Sequence, residues 1–444
     1  MTAITPFYLR NLVAKTFIES VLGEDSTDSL YMFIGKQLPW ANTTDPYPPT
    51  PTQEEATYKD LWDNFIAAKK INYNNAKMVV KNNTWTANNV YVAYDDQNSN
   101  LLIGNTPFYV INSNNDVYKC LSNNFSANST IEPVGLGSVS NNYIQTTDDG
   151  YQWKYMLYVD EDDDFYNQWW IPAPIVAPTN STQEIIKNAA VSGSIDVIKI
   201  ENSGNNYIDG YDQFVVNITG DGTDANASVN IFDGHISEIK MINRGQNYTY
   251  ADVEITSTTG SGAVLRAVMG PRGGHGYDAN KELGAQTIMM VAYTTGNESG
   301  YFTTSNDFRQ NGLLHNPIRY DSNTVIANVS IANTATIFNL SSGVGSFVID
   351  EYVYQGNSLS DSDFSGIVID FNPSTNILRI NNTRGTIQPS KVLYGVNSSA
   401  QRYILQTINS DFKKYSGNII YIDNEPAIER TLAQNEKFQY ILRF

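Results

Sequence analysis

The sequence predicts a mainly β protein of the α+β class, built from several sandwich- or barrel-like β units with two helices in its N-terminal half. Three observations carry this. From about residue 78 onward the chain is dominated by short alternating stretches broken by Asn, Gly and Asp turns, such as "VYVAYDD", "FYVIN", "YQWKYMLYV", "FVVNIT" and "GNIIYID". Helical periodicity shows in only two segments, both near the N-terminal end. At 444 residues the chain exceeds what one hydrophobic core serves, so two to four compact units are expected.

In the first helical segment Thr5 is placed to cap and Pro6 stands at the first helical position. Leu9, Leu12, Val13, Phe17 and Val21 then recur at helical spacing until Gly23 stops the run. The second, "EEATYKDLWDNFIAAKK" at 54–70, puts Tyr58, Leu61, Trp62 and Phe65 on one face. Its Glu54 and Glu55 lie at the positive end of the helix dipole, and Lys69 and Lys70 at the negative end. Between the two, "PYPPTPT" forbids helix and reads as an extended linker.

The β-rich part contains an internal repeat. "IKIENSGNNY" at 198–207 realigns with "IKMINRGQNY" at 239–248, so that Asn202/Asn243, Gly204/Gly245, Asn206/Asn247 and Tyr207/Tyr248 coincide. Each copy runs on into an alternating strand and a small-residue turn, "TGDGTDANASV" and "TTGSGAVLRAV". Two copies predict a duplicated β-unit in which each buries its apolar face against the other, since a solenoid needs more. A second block, 319–410, reads as a small barrel or sandwich from the paired strands and turns of "FSGIVIDFNPSTNILRINNTRG".

Composition narrows the partners. Twenty-eight basic against 46 acidic residues give a net charge of −18, which repels polyphosphate and anionic lipid, so neither nucleic acid nor membrane is an expected partner. A single cysteine, Cys120, rules out an internal disulfide and a multi-Cys zinc site and fits a reducing folding environment. No signal peptide and no run of 18 apolar residues is evident. Charged residues make up only 17%, while Tyr numbers 29, a composition suited to faces that pack against neighbours.

The stretch most suggestive of chemistry is "GPRGGHGYDANKELGA" at 270–285. It has neither G-x-G-x-x-G nor P-loop spacing, so nucleotide binding is not expected. Gly270, Gly273, Gly274 and Gly276 read as positions needing positive φ in a structural loop. His275 beside Asp278 is a poor metal pair, because His235 and His315 are distant in sequence. The stretch therefore predicts a connector whose path Arg272, His275 and Asp278 fix by hydrogen bonding. "DEDDDF" at 160–165 lacks EF-hand spacing and reads as a solvated face, with "DGTDAN" at 221–226 similar and weaker. No Gly-x-Ser-x-Gly elbow occurs, and no base is evident near Cys120. No catalytic residue, cofactor or metal is expected.

Aromatic residues beside prolines and turns supply the interface candidates: Trp40 and Tyr47 in "LPWANTTDPYPP", and Trp169 and Trp170 in "YNQWWIPAP". These stretches also carry a resemblance. The N-terminal helix, "MFIGKQLPW" (32–40), "YPPTP", "DLW" (60–62), "VVKNNTW" (79–85), "VYKCL" (117–121) and "DDGYQWKYM" occur in that order. They are followed by "AQTIMMVAY" (285–293), "DFRQNGLLHNP" (307–317), "YSGNIIYIDNEPAIER" (415–430) and "FQYILRF". In that order they resemble the baseplate wedge protein of T-even-type contractile-tailed bacteriophages that dimerises within each wedge, and they cover somewhat over half of the chain.

The resemblance implies a non-enzymatic structural subunit of the virion, assembled in the host cytoplasm into the tail baseplate. It would be a homodimer with an isologous contact of standard size, about 1,600 Å². Its other partners would be the remaining wedge subunits and the fibre- or pin-bearing baseplate proteins, and it would take part in the switch of the baseplate on host contact. Phe308 and Arg309 of "DFRQNGLLHNP" join the interface candidates on this basis. The wedge core is expected in 1–189, 285–318 and 411–444, with the duplicated unit (190–284) and the barrel or sandwich (319–410) as insertions. The competing readings are a receptor-binding or fibre-type virion protein whose insertions recognise host glycans, and a tail-associated glycan hydrolase with a carboxylate pair in a cleft.

Overall fold

A computed structural model describes residues 6–23, 26–40, 48–98, 100–102, 106–209, 214–304 and 306–444. The chain is β-dominated, as its sequence pattern predicts: the described residues form 25 strands and five α-helices, several of the helices short. It divides into two compact units, one drawn from Met1–Lys15, Lys77–Met289 and Ile441–Phe444, the other from Thr16–Ala76 and Met290–Tyr440.

In the first unit, Tyr109–Ile111, Asp116–Asn123, Tyr151–Tyr158 and Ile144–Thr146 form an antiparallel sheet in that order. Its core is aromatic: Tyr118, Tyr151, Trp153 and Tyr155 pack with Val110 and Ile186, the last contributed by the helix Thr182–Ala189. Ser181 caps that helix, its hydroxyl accepting from the Glu184 amide at 3.1 Å. "VYVAYDD", read as a strand, is irregular instead. Its amides are taken one by one: Tyr94 N donates to Cys120 O at 2.8 Å and Val92 N to Pro107 O at 3.1 Å. No continuous ladder is left for it to join.

The duplicated unit answers how two copies suffice. Copy one supplies Ile195–Asn205, Val215–Gly220 and Thr223–Phe232; copy two supplies His235–Gln246, Ala251–Thr256 and Ser261–Met269. The first strand of copy one pairs with the last strand of copy two, and the middle strands pair with each other. The last strand of copy one pairs with the first of copy two. The copies are interlaced, and Ile195, Ile198, Val229, Ile231, Ile236 and Ile239 close one shared core.

The aligned residues adopt the same local structure. Asn202 and Asn243 each accept, through Oδ1, from the amide two residues on, at Gly204 (2.9 Å) and Gly245 (3.1 Å). Gly204 and Gly245 lie at φ 65° and 64°, and Asn206 and Asn247 both at 62°. The hydroxyl of Tyr207 accepts from Ala263 N, and that of Tyr248 from Ala225 N, each at 3.4 Å. Each copy thus plants its tyrosine in the small-residue turn of the other.

The second unit is organised on a five-stranded antiparallel sheet, ordered Ile331–Asn333, Phe65–Ile71, Leu30–Gly35, Phe308–His315 and Asn418–Ile428. The predicted second helix is corrected here: it spans Glu55–Asp63, and "FIAAKKI" becomes the strand Phe65–Ile71. Asn64 ends the helix, its Nδ2 donating to Asp60 O at 2.7 Å, and two strand neighbours then capture the apolar continuation. Lys69 therefore caps no helix; its Nζ donates to Tyr293 O at 2.7 Å and pairs with Glu298 at 2.8 Å. Leu61 and Trp62 do enter the core, beside Phe33, Phe65 and Leu314.

Within the same unit, Thr336–Leu340, Ile377–Gly385, Asp361–Asn372, Tyr352–Ser358, Val392–Gly395 and Gln401–Ile408 close into a six-stranded barrel around Phe338, Val353, Phe364, Val368, Leu378 and Leu393. Closure removes free sheet edges. The sheet strand Ile331–Asn333 lies just before the barrel, so the barrel proper is shorter than the block 319–410.

The first helix, Phe7–Val21, forms as expected, with Thr5 outside the described residues. Its buried face differs from the one periodicity suggests. Phe7, Asn11, Ala14 and Ile18 are buried, whereas Tyr8, Leu9, Leu12 and Val13 are exposed. Asn11 sets this phase: its Nδ2 donates to Asn280 Oδ1 at 2.8 Å and to Ala285 O at 2.7 Å, both buried. Rotating the helix to bury the leucines would strand that amide without partners.

Candidate functional site

The glycine-rich stretch leads from the strand Ser261–Met269 through a tight loop into the short helix Ala279–Glu282, and the strand Thr287–Thr295 follows. Gly273, Gly274 and Gly276 lie at φ 92°, 91° and 90°, and a Cβ on Gly274 would sit 2.3 Å from Val191 O. Gly270 is different: it has no positive φ, and its nearest neighbour to a Cβ is 3.6 Å away, so it requires no glycine. Asp278 caps the short helix, accepting from Lys281 N at 3.1 Å, and forms ion pairs with Lys15 (3.7 Å) and Lys281 (3.3 Å). Arg272 is exposed, and among the described residues it forms no ion pair or side-chain hydrogen bond that would fix the path, contrary to expectation.

The loop delivers His275 and Glu282 into the interior, where they meet Lys119 of the strand Asp116–Asn123. Lys119 Nζ lies 3.0 Å from Glu282 Oε2 and 3.1 Å from His275 Nδ1, and all three residues are at most 5% exposed. Glu282 Oε1 accepts from Gly276 N at 2.8 Å. The Tyr94 ring lies 3.9 Å from the ammonium and packs edge-on against His275. Lys154, on the neighbouring strand, donates to Asn142 O at 2.5 Å and Asn142 Oδ1 at 3.2 Å. Nearby, Arg244 Nε and Asp196 Oδ1 form an ion pair at 2.8 Å.

The electrostatics follow from burial and partners. Burial raises the Glu282 carboxyl, but the Lys119 charge and the His275 hydrogen bond outweigh it and hold the group down at about 2. Burial lowers Lys119, with Glu282 pulling the other way. His275 is lowered by burial and by the adjacent ammonium. Lys154 is lowered by burial to about 8. The group is a buried ion pair with a neutral imidazole, sealed from solvent, and its chemistry is to pin the connector to the sheet.

Lys119 and Lys154 are not among the residues that the sequence singles out for chemistry. Their signal is local: "DVYKCLSN" and "YQWKYMLY" each carry one lysine among apolar residues, and both lysines are fully buried. A buried lysine needs a counter-charge or acceptors. Among the described residues no group of three His, Cys, Asp or Glu is placed to hold a metal. In "DEDDDF", Asp163 pairs with Lys77 at 2.6 Å and accepts from Phe165 N at 3.0 Å. Asp221 accepts from Thr249 N at 2.8 Å and so ties down the loop after Tyr248.

The interface candidates separate by exposure. Trp169 is 67% exposed, at the edge of the strand Trp170–Pro172, which pairs with Ala76–Lys81. Trp170 is half-buried. Trp40 is half-buried too, its indole donating to Glu425 O at 3.1 Å with Lys36 over the ring. Tyr47 lies outside the described residues. Phe308 and Arg309 are corrected: both are buried, Phe308 against Phe438 and Arg309 donating to Gln37 O and paired with Asp307. They face the interior because both faces of the strand Phe308–His315 are covered: its residues are buried from Phe308 through Leu314, on both sides of the sheet.

A polar cleft of about 820 Å³ opens in the first unit between the aromatic sheet and the duplicated unit. Its lining includes Asp95, Phe125, Asn141, Gln152, Lys199 and Arg244. Compared with known proteins, the chain matches no protein-family model and no curated protein.

Proposed function

We propose that the chain is a structural subunit of a contractile-tail baseplate wedge, acting as a homodimer that links neighbouring wedge proteins and takes part in the conformational switch of the baseplate. The observation that supports this reading is where the family-like stretches fall. "MFIGKQLPW", "DFRQNGLLHNP" and "YSGNIIYIDNEPAIER" are far apart in sequence, yet they supply three adjacent strands of one sheet, with Phe33 opposite Gly312 and Gly312 opposite Ile422. "DLW" provides Leu61 and Trp62 to the core of that sheet. "VYKCL" and "DDGYQWKYM" are neighbouring strands of the aromatic sheet. A likeness carried by such stretches concerns a shared framework. The interlaced unit and the barrel each close a core of their own, which suits additions to a framework.

The reading is tested by light-scattering mass measurement of the purified chain and by a density map of the intact tail that contains it. A dimer in solution, and two copies of this fold in each of six wedges, is the expected result. A trimer, as in fibre proteins, or a position away from the baseplate would overturn it.

A further inference from the structure

We propose that the cleft in the first unit is a binding site for a short neutral oligosaccharide. The inference stands apart from the baseplate reading, because it rests on the lining of the cleft alone. A volume of about 820 Å³ falls in the size range of small-ligand sites, roughly 300–1,000 Å³. One wall is the turn 121–126 with Gln152 of the aromatic sheet; the other is the strands Ile195–Asn205 and His235–Gln246.

Charge points to an uncharged ligand. The lining carries three acidic residues, Asp95, Asp196 and Glu238, and three basic ones, Lys199, Lys240 and Arg244. Asp95 pairs with Lys199 and Asp196 with Arg244, each at 2.8 Å, so the walls set up no net field that would select an anion or a cation.

Hydrogen-bonding capacity points to hydroxyls. Side-chain amides dominate the remaining polar lining. Asn124 is fixed by donation from Nδ2 to Asp149 O at 3.0 Å, and Asn141 by accepting from Arg244 Nη1 at 2.9 Å. The amides of Gln152 and Asn230 have no side-chain partner among the described residues, and each offers two donors and an acceptor. A row of hydroxyls, each both donor and acceptor, satisfies such groups in a way that a carboxylate or an ammonium does not.

An exposed aromatic ring completes the set. Phe125 is 63% exposed and lines the cleft. It lies at φ 55°, between Asn124 at 45° and Ser126 at 65°, a run of left-handed residues that a bulky side chain rarely joins. Asn123 holds the turn: its Oδ1 accepts from Ser126 N at 3.2 Å, and its carbonyl accepts from Ala127 N at 3.2 Å. The turn presents a ring face at which the apolar side of a sugar can stack while its hydroxyls reach the amides.

The test is a screen of the whole chain against neutral glucose-, galactose- and N-acetylglucosamine-based oligomers of two to four rings, alongside matched sialylated and uronate-bearing ones, free and as surface polysaccharide. Saturation-transfer NMR and calorimetry supply the readout. The expected result is binding of at least one neutral oligomer, weakened at least about tenfold by Phe125→Ala and by the Gln152→Ala/Asn230→Ala double variant with melting temperature unchanged. Should Phe125→Ala disturb folding, the amide variant decides. No binding up to about 10 mM, binding of charged glycans only, or affinity indifferent to these substitutions would overturn the proposal. So would occupation of the cleft by a protein loop in the assembled particle.

Discussion

Lys119 Nζ and Glu282 Oε2 lie 3.0 Å apart, both buried, and join an inner strand of the aromatic sheet to the end of the glycine connector. Removing one charge leaves the other buried and uncompensated, which costs about 3–5 kcal/mol, whereas replacing both by apolar groups is neutral or stabilising. Glu282→Leu alone is therefore expected to lower the urea midpoint of the first unit sharply, and Lys119→Met/Glu282→Leu to recover most of the loss. A double variant no better than the single one would show that the His275 and Gly276 contacts of Glu282, and not the ion pair, hold the connector.

The same group contributes to the acid limb of the stability profile. His275 is depressed below its ordinary 6.5 and Glu282 is held at about 2, against an ordinary 4.5. In both cases the unfolded chain binds more protons below the ordinary value, so stability is full above it and is lost as pH falls. The melting temperature should decline from about pH 6.5 downward through His275, then more steeply below about pH 4.5 through Glu282. His275→Gln should remove the upper part and keep a smaller lower one, since the Lys119 charge still holds Glu282 down. Lys154 acts at the other end: with a folded value of about 8 against 10.5, stability rises between those two pH values, and Lys154→Met should flatten that rise.

Local pattern and tertiary pairing divide what was legible. The repeat could be read because Asn202, Gly204, Asn206 and Tyr207 build a turn from their own backbone needs, and those needs recur at Asn243, Gly245, Asn247 and Tyr248. "FIAAKKI" could not, because its helical periodicity continues that of Glu55–Asp63 and only the partners Leu30–Gly35 and Ile331–Asn333 make it a strand. The face of the first helix depended on Asn11, a polar residue that apolar periodicity disregards. The buried charge cluster was half visible: His275 stood out by its type, but its partner Lys119 lies in a strand that reads as apolar filling. The cleft has no local sequence signal, since its walls come from segments that meet only in the fold.

The glycines of the interlaced unit make a paired prediction. A Cβ on Gly260 would lie 2.2 Å from the Tyr207 ring, and one on Gly222 would lie 2.4 Å from the Tyr248 ring. Gly260→Ala and Gly222→Ala should each cost roughly 1–3 kcal/mol by overpacking, with similar magnitudes because the sites are equivalent. Gly270→Ala is the control: its Cβ meets nothing closer than 3.6 Å, and it is expected to stay within about 0.5 kcal/mol of the parent. Thermal denaturation of the three variants side by side checks the ordering.

Two aromatic residues that the sequence proposes together should part in experiment. Phe308 is 1% exposed inside the five-stranded sheet, so Phe308→Ala opens a cavity and is expected to cost about 3–5 kcal/mol. Trp169 is 67% exposed, with its backbone held by Asn167 Oδ1 at 2.8 Å, so Trp169→Ala should change stability by no more than about 0.5 kcal/mol. If the indole anchors a neighbouring subunit, the same variant should weaken association by about tenfold or more, since buried tryptophans dominate interface energies. Denaturation curves and sedimentation of each variant separate the two effects. Trp169→Ala with unchanged association would remove Trp169 from the interface and leave Trp40 and Trp170, each half-buried, as the described candidates to examine next.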